Sequence, residues 1–202
     1  MDHAVALVEA YLHVNGYFTV TEYPVIEAMK HGGYQTATDL DILAFRFPGA
    51  GCLVPQQGGK PTGEQQLYAP DPELGVSGTQ ADMIIGEVKE GKAELNRGAR
   101  NPAVLRAALT RFGCCQGEHV PRVVEQLLHK GRAETMSGHQ VRLMAFGSLI
   151  EPQSGYDVMS LKHITNFLTD YLRNNWNILR HAQFKHPAFG FLMTLEKSRR
   201  GN

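Results

Sequence analysis

The chain has 202 residues, of which 43% are apolar and 20% are charged, and its formal net charge is zero. This length and composition are typical of one globular domain with a full hydrophobic core. No apolar run approaches the roughly 20 residues of a membrane-spanning helix, and the first residues do not resemble a signal peptide. The three cysteines, two of them adjacent, suit neither a disulfide framework nor a zinc site. We therefore expect a cytoplasmic protein with reduced cysteines and no membrane partner.

The neutral total hides a separation of charge along the chain. Residues 1–91 contain 4 Lys/Arg and 12 Asp/Glu, a net charge of −8. Residues 92–132 and 162–202 each carry a net charge of +5, and residues 133–161 supply the remaining −2. An acidic half followed by basic segments is typical of an enzyme that holds a polyanion near cations. The alternative is that these charges only solvate helix faces.

Capping residues mark the ends of the predicted helices. Asp2 is a favourable N-cap for the first helix, and Asn15 is a favourable end. Asn101, followed by proline, begins the second helix, while Gly113 and Gly131 end the second and third. The predicted elements are a helix at 2–14, strands at 17–26, 38–47 and 82–89, helices at 102–112 and 121–130, a strand at 140–148, a helix at 160–181 and an apolar segment at 189–195.

The order of these elements predicts an α/β fold. Three strands follow the first helix with no helix between them, so we expect them to pair as a meander. The strand after the next two helices could then join the sheet in parallel. We expect residues 1–148 to form the core domain and 149–202 a helical C-terminal extension packed on it. Residues 48–80, rich in Gly, Pro and Gln, would be an irregular insertion with a short hairpin near Leu67.

The strand at residues 82–89 ends with a carboxylate and an ammonium group two residues apart. Because side chains alternate between the faces of a strand, Glu87 and Lys89 share one face. The preceding strand carries Asp41 where its apolar run begins, with Asp39 as the alternative acid. Carboxylates hold hard divalent cations, and a lysine can orient or deprotonate a water that attacks a phosphodiester. These residues together predict a metal-dependent nuclease site.

With Glu9 on the first helix, Asp41 on the second strand and Glu87-x-Lys89 on the third, the chain resembles the PD-(D/E)XK phosphodiesterase superfamily. The resemblance covers the predicted core and not the C-terminal extension. It implies the restriction-endonuclease-like arrangement of helix, three-strand meander, helix and fourth strand. Two departures stand out: Leu40 rather than proline precedes Asp41, and the insertion lengthens the separation between the two strand acids.

The resemblance also implies a ligand set. Asp41, Glu87 and the main-chain carbonyl of Val88 would coordinate Mg²⁺, for which Mn²⁺ would substitute. Lys89 would orient or activate the attacking water, and Glu9 would support a second metal ion.

The partner implied by the resemblance is nucleic acid, and DNA in particular. The two basic segments would contact phosphates, and Lys92 and Asn96, just after the third strand, could touch phosphate or substrate. A homodimer would fit by family analogy, since cutting two strands needs two sites.

Two other interpretations stay open. A nuclease-like fold can lose its activity and act as a nucleic-acid or protein binding module. Alternatively, Glu87 and Lys89 form an ordinary surface ion pair in an α/β scaffold, worth at most about 1 kcal/mol. Metal affinity at the carboxylates distinguishes the enzyme from both.

Overall fold

The computed structural model describes residues 2–50, 70–113, 115–181 and 185–201. Within these ranges the chain forms a mixed α/β fold with a six-stranded, mostly antiparallel sheet and six α-helices. No helix in the described ranges has the length and apolar composition needed to cross a bilayer. In chain order the elements are α1 (His3–Val14), β1 (Phe18–Ala28), β2 (Tyr34–Arg46), a 3₁₀ turn (Pro72–Leu74), β3 (Asp82–Lys92), α2 (Pro102–Phe112), α3 (Val120–Lys130), β4 (Arg132–Glu134), β5 (Gln140–Leu149), β6 (Asp157–Ser160), α4 (Leu161–Asn174), α5 (Trp176–Leu179) and α6 (Pro187–Arg200).

The strand order in the sheet is β1-β2-β3-β5-β4, with β6 also paired to β5. Strands β1, β2 and β3 form the antiparallel meander that the sequence predicts. Strand β5 follows α2 and α3 and joins β3 in parallel, also as predicted. Strand β4 pairs with the beginning of β5 and β6 with its second half, so both short strands share one edge of β5.

Helices cover both faces of the sheet, and each face has its own hydrophobic cluster. Ile42 and Ala44 of β2 belong to the cluster that contains α1, α4 and α6. Leu43, between them, belongs to the cluster that contains α2 and α3. This alternation is the period of two that a strand imposes on its side chains. The C-terminal helices therefore share their core with α1, the first helix of the chain.

Local sequence signals predict the helix ends well, with one exception. Asp2 and Asn101 cap α1 and α2 by accepting hydrogen bonds from main-chain N–H groups two residues later, at 2.8 and 2.9 Å. The prediction of one helix over residues 160–181 is wrong, because α4 ends at Asn174 and the short α5 follows. The Asn175 side chain donates to the carbonyl of Tyr171 at 2.8 Å, a local bond that competes with helix continuation.

Other strand boundaries differ from the sequence prediction. Strand β2 begins at Tyr34, four residues early, because its first part pairs with β1 in a long hairpin. Strands β4 and β6 were not predicted, and β6 lies within the portion expected to be helical. The predicted hairpin near Leu67 lies outside the described residues.

A buried ion pair joins the two central strands. Asp82 begins β3 and Arg142 lies in β5, and each side chain is only 1% exposed. The Arg142 guanidinium binds both carboxylate oxygens of Asp82, at 2.9 and 2.7 Å, and donates to the carbonyl of Leu74 at 2.8 Å. The Tyr17 hydroxyl also donates to Asp82. Because each buried charge is paired and hydrogen-bonded, the network holds β3, β5 and the α1–β1 turn in one arrangement.

Removing one partner of this network should strongly destabilise the fold. We expect Asp82→Ala to lower the free energy of unfolding by about 3–5 kcal/mol, since it leaves the Arg142 charge buried and unpaired. Asp157→Ala is the matched control, because Asp157 lies 3.5 Å from the same guanidinium but is 25% exposed; its loss should stay below about 1 kcal/mol. Urea denaturation measures both values, and equal losses would contradict the central role of Asp82.

Candidate active site

The candidate site lies where β2 and β3 cease to pair. Main-chain pairing of these strands ends at Ile42 and Gly86. Beyond this point the Asp41 side chain replaces the main chain, and its Oδ2 accepts a hydrogen bond from the Val88 N–H at 2.8 Å. The N–H and C=O of one strand residue point to the same side. The Val88 carbonyl therefore faces the gap beside Asp41.

Glu87 is the buried acid of the site. Its side chain is 1% exposed. Its Oε1 accepts hydrogen bonds from Lys89 Nζ at 2.5 Å and from Asn96 Nδ2 at 2.7 Å. Its Oε2 is buried and has no hydrogen-bond partner among the described residues. A buried carboxylate oxygen without a partner carries a desolvation cost that a cation could offset.

The environment changes the pKa values of both groups in the motif. Burial raises the pKa of Glu87 above its ordinary value, and the negative charge of Asp41 raises it further, while Lys89 and Asn96 act in the opposite direction. Burial lowers the pKa of Lys89, but its hydrogen bond to Glu87 and the nearby carboxylates outweigh this, and the net pKa is raised. Lys89 therefore remains an ammonium at neutral pH.

Asp41 and Lys89 open onto a cleft of about 480 Å³. The cleft attracts cations and repels phosphate groups, because carboxylates outnumber ammonium groups in its lining. Glu22 also lines this cleft. Its own backbone has a φ of 50°, a left-handed conformation that is uncommon outside glycine. Nothing in the local sequence signals that conformation, so the sequence analysis missed Glu22. The charged residues that line the cleft are Asp2, Glu22, Asp39, Asp41, Lys89 and Glu90.

Glu9 does not join this group. Its Oε1 accepts a hydrogen bond from the Thr19 hydroxyl at 3.0 Å, and its Oε2 lies 2.9 Å from His186 Nε2. Thr19 pairs with Ala44, three residues along β2 from Asp41, which corresponds to a separation of roughly 10 Å. Glu9 therefore links α1 to β1 and to the start of α6, and its role beside a second metal ion stays a prediction.

Two residues just after the motif, Asn96 and Lys92, form contacts within the fold. Asn96, which the sequence suggested could touch phosphate or substrate, donates to Glu87 and accepts from the Ala99 N–H at 2.6 Å. These two bonds orient the Asn96 amide and hold Glu87 in place. Lys92 forms an ion pair with Glu151 at 2.8 Å. The structure thus assigns Asn96 a positioning contact that its place in the sequence did not reveal.

The donors present suit a hard divalent cation. The described residues contain no group of three or more His, Cys, Asp or Glu side chains arranged to hold a metal ion. Asp41, Glu87 and the Val88 carbonyl instead offer two carboxylates and one carbonyl oxygen. Mg²⁺ is commonly held by one or two carboxylates and keeps several waters, whereas zinc sites use mainly His and Cys. The orphaned Oε2 of Glu87 adds a donor without another role, so these residues fit Mg²⁺.

Comparison with known proteins gives no identification. The chain matches no family model, no curated protein and no solved structure.

The raised pKa of Glu87 predicts a pH-dependent gain in stability when its charge is removed. The folded protein holds the Glu87 proton more tightly than the unfolded chain, in which a glutamate has a pKa of about 4.3. Stability therefore falls as pH rises from that value through the higher folded pKa. We expect Glu87→Gln, in a chelator, to unfold at a higher temperature than the wild type at pH 8, with a free energy of unfolding that is about 1 kcal/mol higher. This advantage should vanish below about pH 4.3.

Thermal unfolding at pH 4 and pH 8 measures this difference. Glu90→Gln is the control, since Glu90 is exposed at the same cleft and its substitution should leave the midpoint unchanged at both pH values. A Glu87→Gln variant less stable than the wild type at pH 8 would show that the ionised carboxylate is well satisfied.

Proposed function

We propose that this chain is a Mg²⁺-dependent nuclease of the PD-(D/E)XK type that hydrolyses phosphodiester bonds in DNA. The observation that carries the proposal is the buried Glu87, whose Oε2 has no partner among the described residues, beside Asp41 and Lys89. Groups whose pKa values are perturbed by burial and a charged neighbour cluster at functional sites, and Glu87 is hydrogen-bonded to Lys89, which lines the cleft.

The fold supports this class of enzyme without identifying it. Helix α1, the meander of β1 to β3, helices α2 and α3 and the parallel β5 follow the order expected for a restriction-endonuclease-like core. The acid and lysine residues sit at the end of β3, where β2 separates from it. A cytoplasmic location is part of the proposal.

The mechanism assigns each residue a distinct task. Asp41 and Glu87 would hold Mg²⁺ together with the Val88 carbonyl. When bound, the cation neutralises the scissile phosphate, lowers the pKa of a coordinated water and stabilises the leaving oxygen. Asp41 accepts a hydrogen bond from the Val88 N–H, which holds its carboxylate beside Val88 without a ligand.

Lys89 would act as a cation and not as a base. Its raised pKa keeps the amine protonated, so it can orient the attacking water and stabilise charge that develops on the phosphate. Asn96 would hold Glu87 in place through its hydrogen bond to Oε1. The cleft lining carries five carboxylates and one ammonium group, a net charge of −4 that repels a phosphodiester. A bound Mg²⁺ would halve that charge and so weaken the repulsion.

Metal binding should depend on the two proposed ligands. Calorimetric titration of Mg²⁺ and Mn²⁺ should show saturable binding to the wild type and none to the Asp41→Ala/Glu87→Ala double variant. Asp39→Ala separates the two candidate acids of β2, and we expect it to retain binding. Binding lost in Asp39→Ala but kept in Asp41→Ala would move the ligand role to Asp39.

Cleavage should depend on Lys89. The wild type should nick supercoiled plasmid in Mg²⁺. Lys89→Ala should lower the nicking rate by roughly 10²-fold or more while DNA binding persists, because the Lys89 charge stabilises the transition state and not the bound substrate. Lys30→Ala, in the exposed turn between β1 and β2, is the control and should nick at the wild-type rate.

The results also separate the rival functions. Cleavage by Lys89→Ala at the wild-type rate would show that the site is assigned wrongly. A folded wild type that binds DNA but neither binds metal nor nicks plasmid would identify a binding module that has lost catalysis.

A further inference from the structure

A second concave surface lies on the other side of the sheet from α1, between α3 and β4. This groove has a volume of about 500 Å³. Arg122, Gln126 and Lys130 line it from α3, at intervals of four residues that place them on one helix face. Arg132 and Glu134 line it from β4. Three basic side chains against one acidic side chain make the groove electropositive.

The basic residues of the groove differ in whether they form an ion pair within the fold. Arg132 forms an ion pair with Asp157 at 2.8 Å. Arg122 and Lys130 are exposed and form no ion pair with any residue in the described ranges. Arg122 and Lys130 lie eight residues, or about 12 Å, apart along one face of α3. With Glu134 as the acidic side chain in the lining, the groove keeps a positive charge that favours an external anion.

The groove is separate from the Asp41–Lys89 cleft. Strand β4 pairs with β5 at Gln140, which lies beside Asp82 at the beginning of β3. The cleft lies at Val88, six residues further along β3, a distance of roughly 20 Å. Strand β4 is also two strands from β3, or roughly 10 Å to the side, so a DNA strand that reaches both surfaces needs about seven phosphates.

We propose that this groove is a second contact site for the phosphodiester backbone of nucleic acid. The guanidinium of Arg122 and the ammonium of Lys130 bind phosphate oxygens, and the amide of Gln126 donates a further hydrogen bond between them. The preference for an anion follows from the groove itself, whereas the choice of nucleic acid rests on the proposed nuclease function. The groove anchors the polymer at one end of the sheet while the acidic cleft, loaded with cation, receives a phosphate at the other.

Fluorescence anisotropy with a labelled duplex of about 20 base pairs tests the proposal, in a chelator so that no cleavage occurs. The test variant is Arg122→Gln/Lys130→Gln. The control is Lys162→Gln/Lys197→Gln, which removes the same charge from exposed positions on α4 and α6, across the sheet. Thermal unfolding of each variant verifies that it is folded.

The groove variant should bind at least tenfold more weakly, and its slope of log affinity against log salt should fall by about 2, since two phosphate contacts are lost. The control should change affinity less than twofold. Equal losses in the two variants, or wild-type affinity in the groove variant, would overturn the proposal. So would groove-dependent binding of inorganic phosphate or a phosphopeptide by a protein that does not bind the duplex.

The outcomes for the groove and for the nuclease site are independent. A wild type that nicks plasmid, with a groove variant that binds DNA normally, rejects the groove and keeps the nuclease. A wild type without metal binding or nicking, whose DNA affinity still depends on Arg122 and Lys130, rejects the nuclease and supports the groove.

Discussion

The buried pair of Asp82 and Arg142 is the contact on which the arrangement of the sheet depends. The two residues are 60 positions apart, and their bidentate bond fixes the register of the parallel strands β3 and β5. Parallel strands are not joined by a tight turn that would set their register. The bidentate ion pair therefore helps to set the register of β3 and β5. Hydrogen bonds to Tyr17 and the Leu74 carbonyl tie the same centre to the preceding segments. With the start of β3 fixed, its far end extends beyond the paired part of β2 and forms the cleft.

The buried carboxylates of this network and of the candidate site differ in how completely they are hydrogen-bonded. Asp82 is buried and fully bonded, whereas Glu87 is buried with one oxygen unpartnered among the described residues. The Lys89 ammonium offsets part of the desolvation cost of the Glu87 carboxylate. The part that it does not offset is reflected in the raised pKa of Glu87. Proteins retain such local conflicts where activity needs them, at the expense of stability. Glu87 therefore combines burial with an oxygen that has no partner among the described residues, and the proposed cation site rests on this feature.

The charge separation along the sequence becomes a spatial separation across the sheet. The acidic first half supplies the cleft through α1, β1, β2 and β3, and α3, from the first basic segment, supplies the groove. The second basic segment behaves differently. Arg173, Arg199 and Arg200 converge on Glu196, and Arg200 also stacks on Trp176. Three of the segment's seven Lys/Arg side chains therefore bind one carboxylate within the fold, whereas Lys162 and Lys197 are exposed.

The sequence by itself determined the features that depend on neighbours in the chain. Caps such as Asn101 fix helix ends through bonds two or three residues away, and the strand period places Glu87 and Lys89 on one face whatever surrounds them. Only the tertiary structure decided the rest. Strands β4 and β6 are too short to form without the edge of β5, so their local sequence carried little signal. Glu9 and Asn96 took partners from distant or irregular segments, because hydrogen bonding between side chains follows from where elements pack and not from spacing along the chain.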